Sequence, residues 1–400
     1  MTSTTAEATT LGRAFWLLWL GWVVNRLGLL HPAFFALYLL TSGLTDATTS
    51  ALAVAMQGAG SATASIVGGM LGDRVGPRRA ISASQVGYAV VLGIMLVSSQ
   101  IWLLVGLVFV AGFLAAINRP TGTAMVVNLV PESRRTRAFG LLYWANNVGG
   151  SVGPVLSGVL LYVAPRGIFV LGICTALVYW FICRFLPDDR VQARDTGVSG
   201  KWGTVRTAGA DMAQPFLNRS VAPFLALSFL LNIVYLQRQS TLPIDMKLNG
   251  INEAGIGSIL AVNAVLVIVL QPLAAAVGHR MKTLWMLVGG SALVAVGFGL
   301  NGFAESSVGF LVALSVWSLG EIIMAPAPAT FIAHHAPGGR QSAFQGSYFF
   351  VLFLGMVVGA PLGVFLLERY GSQSAWTVIM VVGLLAAAGY WAHSRKTSYQ

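Results

Sequence analysis

Charged side chains are scarce in this chain. Asp, Glu, Lys and Arg make up 9% of its 400 residues, against roughly a quarter in a water-soluble protein. So few charges cannot clothe a water-facing surface, which excludes a soluble cytosolic or secreted enzyme. Cysteine is scarcer still. Cys174 and Cys183 are the only two, both inside one apolar run, so neither a disulfide framework nor a thiolate metal site is expected, and they read as packing residues. The 13 acids are scattered and form no paired site. No Walker loop, H-E-x-x-H or C-x-x-C occurs, and the one G-x-S-x-G match, Gly149–Gly153, lies inside an apolar run, so ATP is not the expected energy source, and no enzyme activity, metal or cofactor is expected.

What the chain has instead is apolar length, with 56% hydrophobic residues. A bilayer core about 30 Å thick is crossed by about 20 apolar helical residues, and twelve such runs follow one another. Six lie at 14–40, 48–71, 80–98, 101–129, 138–163 and 167–186, and six at 220–245, 253–277, 283–303, 307–333, 343–367 and 373–392. Membrane β-strands would be alternating runs of about ten residues, so the expected fold is all-α. The first run is longer than a signal-peptide core and is followed by further spans, so it is expected to be retained.

With twelve crossings, 18 of the 24 Lys and Arg fall in alternate loops on one side, the other side holds only Arg166, Lys247 and Arg369, and three lie inside spans. Positive charge marks the cytoplasmic side. The expected protein is therefore a multi-pass protein of the cytoplasmic membrane with both termini inside, and the basic pI of about 10.1 reports topology rather than nucleic-acid binding. The second half echoes the first at an offset of 206 or 207 residues: Asn25 falls on Asn232, Arg74 on Arg280, Pro131 on Pro337, Arg134 on Arg340, Gly149 on Gly355 and Gly153 on Gly359. Two six-helix bundles, 1–186 and 219–400, joined by a cytoplasmic linker at 187–218, suggest a transporter that rocks one bundle against the other.

An ionisable group in hydrocarbon is costly unless it faces a cavity or a partner. Clear of the span ends lie Arg26, Arg119, Arg238 and Glu321, on the first, fourth, seventh and tenth spans, which hold equivalent places in the two halves. They predict a central polar cavity, with Asn25, Asn118, Asn232, Tyr235 and Trp317 as further substrate-lining candidates. Glu321 is the only acid deep in a span, so it is the leading proton carrier, with His31 a second titrating candidate; the competing role for Glu321 is a structural ion pair with Arg26. Asp245, near a span end, reads as a solvated neighbour of Lys247. Three arginines against one glutamate favour neutral or anionic ligands.

Between the second and third spans runs Gly69-Met70-Leu71-Gly72-Asp73-Arg74-Val75-Gly76-Pro77-Arg78-Arg79. It resembles the G-x-L-[AG]-D-R-x-G-R-R signature of the major facilitator superfamily, with Pro77 as a departure. The resemblance implies the twelve-helix fold of that family around a central cavity, and gating roles for Gly72, Asp73, Arg74, Gly76, Arg78 and Arg79, with the end of the eleventh span near Gln341–Phe344 as the docking site. Arg119 followed by Gly122 resembles a weakened form of the family's R-x-x-x-G element, with one residue fewer between them. Gly149, Gly153, Pro154 and Gly158 resemble its antiporter motif, with Ser157 replacing one glycine; the acid common in the first span of its multidrug exporters is absent, and Arg26 occupies that neighbourhood. The expected function is proton-coupled export of a small organic compound or drug, by a monomer driven by the proton gradient. The alternatives are proton-coupled uptake of an anionic metabolite and a nontransporting membrane sensor on the same scaffold.

Overall fold

The computed structural model describes residues 11–187, 213–278, 282–336 and 341–397, without the side chains of 66–74, 272–278, 341–343, 396–397 and scattered positions at 120–151 and 333. Every regular element among the described residues is helical. In chain order these are α1 (Arg13–Leu27), α2 (Pro32–Thr41), α3 (Ala47–Val75), α4 (Pro77–Val97), α5 (Ile101–Leu129), α6 (Glu132–Val163) and α7 (Gly167–Cys183). There follow α8 (Val221–Tyr235), α9 (Thr241–Leu248), α10 (Glu253–Gly278), α11 (Thr283–Leu300), α12 (Ser307–Met324), α13 (Ala327–His335) and α14 (Gln341–Thr397).

Eight stretches among the described residues are long and apolar enough to cross a bilayer, and Gly167–Cys183 is a shorter apolar helix. The chain is a multi-pass integral membrane protein. One stretch, Phe344–Arg395, has 52 residues. At about 1.5 Å per residue that is more than twice a bilayer core of about 30 Å, and it turns at Gly371, whose φ of 78° suits glycine and strains any other residue.

Turns at the span ends follow from local chemistry. Gly76, at φ 88°, lets the chain reverse into Pro77, which as the first residue of α4 has no amide to leave unbonded. Arg78 then donates from Nε and Nη2 to the carbonyls of Cys183 and Arg184, at 2.8 and 3.0 Å, satisfying the free carbonyls at the end of α7. At the start of α3 the Asp46 carboxylate is held below the usual carboxylate range by hydrogen bonds from the Thr49 side chain and then from the Thr49 amide, the latter at 2.8 Å.

Three of the runs read from the sequence as single spans are broken helices. The first breaks at 28–31, the seventh at 236–240 through a 3₁₀ turn, and the tenth at 325–326. Pro32 and Pro326 supply no amide to continue a helix. Unravelled backbone at membrane depth persists only where other groups satisfy it, and here they do. The Leu30 amide donates to Tyr88 Oη at 2.8 Å and its carbonyl accepts from Gln57 Nε2 at 2.9 Å. Gln237 Nε2 donates to Gly359 O at 2.8 Å and to Ile233 O at 2.9 Å, while its Oε1 accepts from Thr241.

Among the first seven helices, α3 packs on α5, α4 on α5 and α7, and α1 on α6 and α7; among the rest, α11 packs on α12 and α14, α8 on α14, and α10 on α12. The two sets meet where α3 lies along α14, α6 along α10 and α2 against α9. One place where they meet, among the described residues, is the end of the molecule that carries Asp46. There Thr48 Oγ1 donates to Glu368 Oε2 at 2.5 Å, and a Cβ added at Gly158 would sit 2.6 Å from the Glu253 carbonyl and 3.1 Å from the Gly257 Cα. Lys247 pairs with Glu253 at 2.5 Å, not with Asp245. Contrary to the solvated position expected for it, Asp245 is 1% exposed and accepts from Trp376 Nε1 at 2.7 Å and Ser372 Oγ at 2.9 Å, because α9 lies against the turn at Gly371.

The internal echo recurs in the packing. A Cβ at Gly149 would overlap the Cβ of Arg26, and one at Gly153 would lie 3.2 Å from the Arg26 carbonyl oxygen. In the second half, Cβ atoms at Gly355 and Gly359 would lie 2.8 Å from Asn232 Cβ and 3.0 Å from the Ile233 carbonyl oxygen. The same pair of glycines, four residues apart, lets backbones approach closely in both halves.

Candidate functional site

Glu321 sits on α12 one turn beyond Trp317, and its two oxygens are held by different helices. Oε1 accepts from Tyr235 Oη at 2.5 Å and Oε2 from Asn263 Nδ2 at 2.7 Å; Asn263 also donates to Ser318 Oγ at 2.9 Å. Tyr235 closes α8, so the break that follows it turns Arg238 back over the same ring, with its guanidinium 4.6 Å from the ring centroid. One tyrosine thus carries a carboxylate on its hydroxyl and a cation on its face. Glu321 is satisfied by neutral donors rather than by the ion pair with Arg26 considered above.

A cleft beside this cluster is lined by His31, Gly150, Pro154, Arg238, Leu260, Asn263 and Trp317. Trp317 is fixed at its back by Phe298, stacked at 5.3 Å and 18°. A second cleft is lined by Trp22, Asn25, Arg26, Leu29, Ala115, Asn118 and Arg119. Its amides are anchored by α4: Asn25 Nδ2 donates to Gln85 Oε1 at 3.0 Å, and Asn118 Oδ1 accepts from Ser84 Oγ at 3.2 Å. Arg119 reaches toward α14, its guanidinium 5.7 and 6.0 Å from the ring centroids of Phe349 and Phe353. Arg26 and Arg119 lie close enough for their charges to repel, as do Arg119 and Arg238. Three guanidinium groups therefore run in series between the two clefts.

Most of the residues singled out from the sequence come together here: Asn25, Arg26, Asn118 and Arg119 in one cleft, and His31, Arg238 and Trp317 in the other, with Tyr235 and Glu321 beside it. Asn232 does not join them. It donates to Ser228 O on its own helix at 2.7 Å and packs against Gly355. Asn263 and Gln85 are not singled out in the sequence because, unlike Asn25 and Asn118, they lie on spans with no deep charge to draw attention to them, and Ser318 is one hydroxyl among several in its span. The side chains of Gly72, Asp73 and Arg74 lie outside the described residues, as do those of Gln341–Ala343 at the expected docking end. Arg79 is exposed, and Arg78 binds the end of α7. Of the glycine motif, Gly149 and Gly153 face α1, and Pro154 and Gly158 face α10.

The sequence profile described as Major Facilitator Superfamily matches residues 14–353 and 227–399. Among curated proteins, the chain is 25% identical over 351 residues to the uncharacterized MFS-type transporter YttB of Bacillus subtilis (strain 168), covering 85% of each. It is also 25% identical over 338 residues to the multidrug resistance protein MdtH of Enterobacter sp. (strain 638), covering 82% of this chain and 80% of that one. Among solved structures, a POT family transporter in complex with 5-aminolevulinic acid superposes with a TM-score of 0.80 at 15% identity over 96% of both chains, a likeness of fold.

Proposed function

Because this chain belongs to the major facilitator superfamily and is a secondary-active membrane transporter, not an enzyme, we propose that it carries a small organic anion together with a proton. In this reading two six-helix bundles, 1–186 and 219–400, supply twelve spans around a central cavity in the cytoplasmic membrane, both termini inside, and the cavity opens alternately to either side. The observation that carries it is the charge arrangement: Glu321 bonded to Tyr235 and Asn263, with Arg238 on the face of the same tyrosine and Arg119 near enough to repel both Arg26 and Arg238.

Protonating Glu321 removes the one negative charge from an otherwise cationic cavity. A unit charge roughly 8 Å from a bound anion, at an effective dielectric of about 20, is worth about 2 kcal/mol, or about thirtyfold in affinity. Proton and anion then favour each other's binding reciprocally, which is the coupling a symporter needs. Exchange of a proton for a cation would instead require the two to compete for the carboxylate. With an inward proton gradient the anion moves inward.

A second reading, proton-driven export of a small organic compound, is supported by the Gly149–Gly158 motif and by the sequence likeness to the multidrug resistance protein of Enterobacter. Everted vesicles energised with a proton gradient separate the two, since symport moves anion and proton in the same sense and antiport in opposite senses. Glu321→Gln in proteoliposomes is expected to lower gradient-driven accumulation of labelled organic acids at least tenfold while leaving counterflow within about twofold. Unchanged accumulation would remove Glu321 from the mechanism.

A further inference from the structure

Three polar atoms lining one cleft are buried without a hydrogen-bond partner: Arg238 Nε, Trp317 Nε1 and His31 Nδ1. Leaving such an atom unbonded costs about as much as a lost hydrogen bond, and three orphans on one small void is a concentration that packing alone does not explain. The first two can only donate, and His31 Nδ1 donates in one tautomer, so whatever meets them is an acceptor. Both fixed donors are held in advance of binding. Arg238 rests on the face of Tyr235 and Trp317, 1% exposed, is stacked on Phe298. Asn263, though in the same wall, is already committed to Ser318 and Glu321. Leu260 and Pro154 give the cleft apolar sides, and Gly150 leaves one side bare, since a Cβ there would meet nothing within 4 Å.

We propose that His31, Arg238 and Trp317 form an oxyanion subsite that takes the head group of the substrate, a carboxylate or another compact oxyanion, with the apolar body lying along Leu260 and Pro154. This rests on the anion-carrier reading above and makes it specific. His31 is then a substrate ligand rather than a proton carrier, which leaves the proton-carrying role to Glu321, bonded to Tyr235 and Asn263.

The test uses the full-length protein in nanodiscs, with its tryptophans labelled at the indole nitrogen and the Trp317 resonance assigned by Trp317→Phe, which keeps the stack on Phe298. Acetate, benzoate, methanesulfonate and methylphosphonate are titrated, with benzamide and benzylamine as uncharged and cationic counterparts. The expected result is a saturable shift of the Trp317 indole N–H with at least one oxyanion and none with benzamide or benzylamine. Trp317→Phe should weaken binding of that oxyanion about tenfold, Arg238→Gln more, and Gly150→Leu should block it while leaving the thermal midpoint unchanged. Comparing the four anions tells a planar head group from a tetrahedral one. Silence of the indole toward all four, or an equal response to benzamide, overturns the proposal. The two readings fail separately: oxyanion binding at Trp317 without proton-driven flux leaves the subsite and removes the coupling, whereas coupled flux with a silent indole does the reverse.

Discussion

Tyr235 serves two opposite charges at once, donating its hydroxyl to Glu321 and presenting its face to Arg238. A hydrogen bond to a charged group is worth about 1.5–3 kcal/mol. Tyr235→Phe keeps the ring and removes that bond, so gradient-driven transport is expected to fall about tenfold while equilibrium binding of an anion stays within about twofold. Tyr235→Ala, which also takes away the seat of Arg238, is expected to lose both; equal transport by wild type and Tyr235→Phe would show that the hydroxyl is idle. Glu321, Arg26, Arg119 and Arg238 were legible in the sequence because a charge in an apolar run announces its own cost. Asn263 was not, because its span holds no charge to mark it, and its importance comes from α10 bringing it to α12. Asp245 was misplaced for a related reason: distance from a span end gives depth, while the Trp376 and Ser372 donors that bury it lie over a hundred residues away.

Helix against helix, closeness is set by glycine. A side chain at Gly149 must displace Arg26, and one at Gly355 must displace Asn232. Gly149→Val and Gly355→Val are each expected to cost about 1–3 kcal/mol or more through overpacking, read as a drop in the thermal unfolding midpoint in detergent. Gly140→Ala, whose Cβ meets nothing within 4 Å, is the matched control and should leave the midpoint where it was. The glycine echo at 149/153 and 355/359 was visible as a repeat in the sequence, since a contact made by backbone leaves the small residue itself as its trace. The breaks at 28–31, 236–240 and 325–326 were not, because hydropathy continues straight through them. What allows them, Tyr88, Gln57 and Gln237, is polar chemistry from neighbouring turns and helices that no local window contains.

Across the whole molecule, some of the described contacts joining the two sets of helices lie at the Asp46 end, where Thr48 meets Glu368 and Gly158 meets Gly257. A carrier that opens alternately must part them in each cycle. In a background with Cys174→Ala and Cys183→Ala, Thr48→Cys and Glu368→Cys bridged by a short thiol-reactive linker are expected to stop transport, and cleavage of the linker to restore it. The bridged protein should still bind an anion offered from the opposite end. Transport that continued at the wild-type rate while bridged would mean that this end does not open.

Neither Tyr88 nor Gln57 lines either cleft, yet together they grip the amide and carbonyl of Leu30 and so decide the angle at which the neighbouring His31 enters its own. A genetic screen for altered cargo preference would collect lesions at these two positions and mistake them for contact residues. Divergent carriers built this way can retune what they accept by swapping a tyrosine or a glutamine that never touches the cargo.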